Sequence, residues 1–213
     1  MTEREWFRSA EALAMVELAP RLSARRERLL ACALARLVWD DLLDRRSRRA
    51  VEIAERFAEG TATERQLRLA KGKAHRVGAD MSGRPPEAQR IAEACVATLS
   101  CVEDPGFTVA SCEMLSMVFV GKPDRLRAVA DLVREVTGSL SRPVVFSPSW
   151  RTGTAVLLAQ QMYDSREFGA MPILADALQD AGCDNEEVLD HCRDVGPPHV
   201  RGCWVVDLVL GRA

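Results

Sequence analysis

Near the C-terminal end, the stretch HCRDVGPPHVRGCWVVDLVLG, His191 to Gly211, carries two of the chain's three histidines and two of its seven cysteines. Cys183 lies eight residues before His191. Imidazole and thiolate are donors that zinc favours, and four of them in a closed tetrahedral set make a structural site. Cys183, His191, His199 and Cys203 are therefore the candidate metal ligands. If the last helix begins near His199, that residue and Cys203 fall four apart on one face, a spacing with which helices hand two ligands to one ion. His191 and Cys192 are adjacent, so about 100° of helical rotation separates them and one alone can point into a given site. No paired C-x-x-C knuckle is present, and free cysteine is among the most commonly buried residues. Satisfied core residues without a cofactor are the favoured reading, and structural zinc is the alternative. In the core reading His199 caps a backbone or pairs with an acid such as Asp194 or Asp207.

Three other constellations bear on chemistry. Cys203 beside His199 has the pairing of a thiol nucleophile, but burial inside GCWVV would raise the thiol pKa and leave it inert. Helical ribonucleases of the HEPN type resemble this chain in being all-α, and Arg68 and His75 reproduce their Arg-to-His spacing. Leu69 stands where such enzymes carry a polar residue, and a solvated helix face is the favoured account. Arg45, Arg46, Arg48 and Arg49 form a basic run that could contact phosphates. No aromatic residue interleaves with them as base stacking requires, so nucleic acid is an alternative partner, behind another protein. Glycine-rich phosphate loops, H-E-x-x-H and G-x-S-x-G are absent from the sequence.

The elements that must position these residues read as amphipathic helices. RSRRAVEIAERFAEG sets Ala50, Ile53, Ala54 and Phe57 at helical spacing and stops at Gly60. Thr63 and Gln66 predict a capping box, as do Asp184 and Glu187. A helix is expected from Pro85 and Pro86 to about Cys101, followed by the apolar segment FTVASCEMLSMVFVG. Pro123 opens the next helix, Gly182 fits the residue after another, and Pro198 and Gly211 bracket the last. SRPVVFSPSW reads as an extended linker, because two prolines flank a β-branched run. The expectation is an all-α protein of about ten short to medium helices in one irregular bundle or α-hairpin stack. Residues 1–213 form a single helical domain, with a subdomain break at 141–149 between helices in 1–140 and helical hairpins in 150–213.

The chain's 213 residues are 47% hydrophobic and 28% charged, with three lysines, 26 arginines and a net charge of −2. These proportions describe a soluble globular protein, and nothing global points to nucleic acid. The first residues lack a signal core, no apolar run is long enough to span a bilayer, and the odd number of cysteines reads as reduced thiols in the cytoplasm. Charge is uneven. Nine arginines against four acids occupy 21–49, and nine acids against two arginines occupy 164–194. The two poles are expected to meet inside the fold.

The frame RRERLLACALARLVWDDLLDRRSRRAVEIAERFAEGTAT, with MPILADALQDAGC, HCR and PHVRGCWVVDLVLG, resembles a family of uncharacterised planctomycete-type bacterial proteins. The resemblance implies a helical cytoplasmic bacterial protein and carries over no catalytic residue. Those proteins tend to show a paired cysteine and basic residues after the position of Cys32, where this chain has ALAR. The expected function is a non-catalytic binding or scaffold module acting on another protein, with no membrane. An enzyme is not favoured. The alternatives are a nucleic-acid-associated protein, with a HEPN-like ribonuclease as its catalytic version, and a small zinc-stabilised regulatory domain.

Overall fold

The computed structural model describes residues 3–18, 22–80, 86–87, 91, 117, 119–138, 144–194 and 196–212. Every regular element among them is helical, and no strand occurs. In chain order these are α1 (Glu3–Arg8), α2 (Ala12–Leu18), α3 (Ala24–Arg36), α4 (Arg45–Ala58), α5 (Glu64–Asp80), α6 (Pro123–Thr137), α7 (Gly153–Ser165), α8 (Met171–Asp180), α9 (Glu186–Arg193) and α10 (Trp204–Leu210). Single 3₁₀ turns at Pro148–Trp150 and Phe168–Ala170 precede α7 and α8. The helix expected from Pro85 to Cys101 and the segment 107–121 lie almost wholly outside the described residues. Among the described residues no helix is long and apolar enough to cross a membrane.

The chain forms two compact units, 1–133 and 134–213. The division between these units falls inside α6, and the expected break at 141–149 lies partly outside the described residues. In the first unit α4 packs against both α3 and α5. Helix α3 is capped by Ser23, whose hydroxyl accepts from the Arg26 N–H, and it buries Leu29 to Ala35 continuously. The expected box before α5 forms: Gln66 Oε1 accepts from the Thr63 N–H at 2.8 Å, and Thr63 Oγ1 accepts from the Gln66 N–H at 3.3 Å. The basic run pairs with acids of its own unit, including Arg25 with Glu59, Arg36 with Glu55 and Arg46 with both Asp44 and Asp80.

The second unit is built around Ala155, Ala159, Met162, Leu174, Leu178, Val188, Val205 and Val209, all at most 2% exposed. Helix α7 packs against α8 and α10, and α9 against α8 and α10. Two local expectations are corrected here. Helix α9 is capped by Asn185, which accepts from the Val188 N–H at 3.0 Å, and not by Asp184. The last helix begins at Trp204 rather than near His199, since Gly202 sits at φ +93° and breaks a right-handed helix. Gly182 does occupy the left-handed position after α8, at φ +86°.

Candidate functional site

Three of the four candidate ligands converge, and a residue that the sequence reading passed over takes the fourth place. One donor atom each of Glu135, His191, His199 and Cys203 lies within 4.8 Å of the others. Cys183 is not of this group. It is buried at the turn after α8, where its N–H donates to the Leu178 carbonyl at 2.9 Å and its thiol is pushed up by burial.

Each member is placed by a separate local device. Glu135 stands in the last turn of α6, and its side chain is 1% exposed. Gly138, at φ +73°, ends that helix so closely against the Trp204 ring that an added Cβ would lie 3.2 Å from Cγ and Cδ2. His191 occupies the last turn of α9, with Cys192 turned into the core beside it. His199 lies in the connection after α9. Cys203 is the N-cap of α10, fully buried, its N–H donating to the Val200 carbonyl at 3.0 Å. His199 and Cys203 therefore meet through a turn, not along one helix face as their spacing suggested.

The hydrogen bonds assign the protons. The Trp204 indole N–H donates to His191 Nδ1 at 3.2 Å, so the neutral ring carries its proton on Nε2. That nitrogen faces Glu135 Oε2 at 3.3 Å and Cys203 Sγ at 3.2 Å. His199 meets acceptors on both sides: Nδ1 is 3.2 Å from each Glu135 oxygen, and Nε2 is 3.2 Å from the Asp194 carbonyl. Two acceptors call for two N–H groups, an imidazolium beside its counter-charge. The Val200 N–H adds a further bond to Glu135 Oε1 at 3.3 Å. The expected acid partner of His199 is thus corrected: Asp194 contributes its backbone carbonyl, and the carboxylate comes from Glu135 rather than Asp207.

Electrostatics follow these contacts. Burial lowers the His191 pKa, only partly opposed by Glu135. Burial also acts to lower His199, but the Glu135 hydrogen bond and charge outweigh it, and the net shift is upward. Cys203 is pushed well above the ordinary thiol range by burial first and by the Glu135 charge second. A thiol so held is a poor nucleophile, despite the adjacent imidazole.

The other candidates stay on helix surfaces. Arg68 and His75 are exposed on α5, with Arg68 paired to Glu64 one turn earlier. Arg46 is bound by Asp44 and Asp80 and Arg49 by Glu52; Arg48 donates to the Leu42 carbonyl at 2.8 Å and lies over the Trp39 ring.

No family model, curated protein or solved structure matches this chain.

Glu135 left one trace in the sequence. It falls three residues after Leu132 and beside Val136, on the stripe by which α6 buries Val129, Leu132 and Val136. A carboxylate on an apolar stripe is the signal that could have found it.

Proposed function

We propose that the protein is a non-catalytic helical binding module of the cytoplasm whose partner is another protein. The observation that carries this reading is the sealing of the chemical groups. Cys203 is 0% exposed and Glu135 2%, and the half-buried imidazoles of His191 and His199 bond to this buried pair rather than standing free for a substrate. Partnered arginines on α4 favour a protein over a polyanion, because a phosphate would have to displace acids already in place. In the second unit the outward-facing apolar side chains Leu157 and Ile173, 70% and 57% exposed, offer contact area of the kind proteins use.

Two measurements test the reading. Alkylation of the native protein with iodoacetamide near neutral pH should leave Cys203 unmodified by peptide mass, and unfolding should release it. Rapid stoichiometric labelling of native Cys203 would overturn the non-catalytic assignment. A photo-crosslinking residue at Leu157, introduced in living cells, should trap a defined protein, whereas one at exposed Asp176 on α8 should not. Crosslinks to RNA at Leu157, or none at all, would count against a protein partner.

A further inference from the structure

We infer that Glu135, His191, His199 and Cys203 bind one zinc-class divalent ion as a closed structural site. The donor set is the first support. One carboxylate, two imidazoles and one thiolate are the ligand types of tetrahedral zinc, and they arrive from three separate places: the end of α6, the end of α9, and the loop into the α10 cap. Contacts of 3.2–3.3 Å link His191 to Cys203, His191 to Glu135 and Glu135 to His199. Three of the six separations are thus near the edges of a tetrahedron with bonds of about 2.0–2.3 Å, and all six lie within 4.8 Å.

The surroundings are the second support. A ligating histidine nearly always donates its other N–H to a carbonyl or carboxylate, and ligating carboxylates are themselves hydrogen-bonded. His199 Nε2 donates to the Asp194 carbonyl, which leaves Nδ1 turned toward Glu135 for the metal. Glu135 Oε1 receives the Val200 N–H. Charge also balances. The ion takes the place of two protons, the Cys203 thiol proton and the His199 Nδ1 proton, which pass to solvent. The carboxylate and thiolate then neutralise its two charges.

One contact runs the other way and gives the proposal a signature of its own. Bound through Nε2, His191 must carry its proton on Nδ1, where it would oppose the Trp204 N–H now donating there. Metal binding therefore breaks that bond and moves the proton of His191 from Nε2 to Nδ1. Trp204 becomes a reporter, and removing its N–H should help the metal rather than harm it.

The test begins with elemental analysis of protein purified without added metal, then dialysis against chelator and titration with Zn²⁺ or Co²⁺ alone. One equivalent of zinc is expected, with a melting temperature that falls on chelation and recovers on adding Zn²⁺. Cobalt should give the visible spectrum of a tetrahedral ion with a thiolate charge-transfer band, and indole emission should change in step. Cys203→Ala should lose that band and weaken binding by more than about 100-fold, beyond the loss of a merely orienting partner. Cys183→Ser should keep the band, and Trp204→Phe should bind at least as tightly as the wild type without the emission change. Metal-free protein whose melt ignores both chelator and Zn²⁺, or a cobalt spectrum that Cys183→Ser abolishes, would overturn the site. The wild-type cobalt spectrum decides the matter even if a variant fails to fold.

Discussion

Glu135 joins several described interactions of the second unit at one carboxylate. Its carboxylate receives a backbone N–H and faces two imidazoles, and its charge raises the thiols of Cys192 and Cys203. Cys192, outside the cluster, shows what this environment does to a bystander. Burial first, then the Glu135 charge, push its thiol up to about 12. An unfolded cysteine ionises near 8.5. Above that pH the unfolded chain has lost a proton that the folded chain keeps, so stability falls with rising pH, by about 1.4 kcal/mol per unit for this thiol. Urea midpoints taken from about pH 8 to 10 should fall more steeply in wild type than in Cys192→Ala; parallel slopes would show that the thiol is solvated. Residue chemistry was only partly legible in the sequence. Imidazole and thiol groups announce themselves by type, which is why His191, His199 and Cys203 stand out in the sequence and why Cys183 is drawn in with them. Glu135 is one of many acids, and only its place on the apolar stripe of α6 separates it from the solvated ones.

At the scale of elements, helix ends decide the geometry. Gly60 and Gly138 both follow helices with φ near +70°, at +70° and +73°. A Cβ at Gly60 meets nothing within 4 Å, whereas one at Gly138 meets the Trp204 ring at 3.2 Å. Gly60→Ala should cost about 1 kcal/mol, the strain of a left-handed L-residue. Gly138→Ala should cost about 1–3 kcal/mol more, because the indole must shift against a packed core. Thermal or urea denaturation of the two variants checks the difference, and equal losses would mean that the ring yields freely. Caps allow a second comparison. Asn185→Ala should cost about 1 kcal/mol, whereas Asp184→Ala should stay within about 0.5 kcal/mol, since the observed acceptor is Asn185. Helix existence and most stops were legible, because apolar periodicity, Thr63 with Gln66, Pro123 and Gly182 all act locally. The start of α10 was not. Proline at 198 suggested a beginning there, but the chain reserves 199–203 for a turn through Gly202 that delivers His199 and Cys203 to a long-range partner.

For the whole molecule, the division into two compact units predicts separate cooperative behaviour. Removing the hub with Glu135→Ala should speed amide exchange across α7 to α10 while α3 to α5 keep their protection. Equal acceleration in both sets, read by hydrogen-exchange mass spectrometry, would show one cooperative body. The unit that holds the cluster begins within α6, at a point where no proline or glycine marks the chain. A compact unit is bounded by what its residues touch, and Glu135 and Gly138 approach residues some sixty positions later.

That separation also has a consequence in time. The contacts of Glu135 with His199 and Val200 close spans of 64 and 65 residues. Closing so long a loop is entropically costly before other contacts exist, so such pairs form late, after local helix hairpins have assembled. An interaction absent from the folding transition state leaves the refolding rate alone and sets the escape rate. In a chevron measurement, Glu135→Gln should steepen escape to the unfolded state with refolding nearly unchanged, and a refolding limb slowed in proportion would place the contact in the nucleus. The cluster then acts as a clock on the native state, governing how long the second unit persists once it has formed.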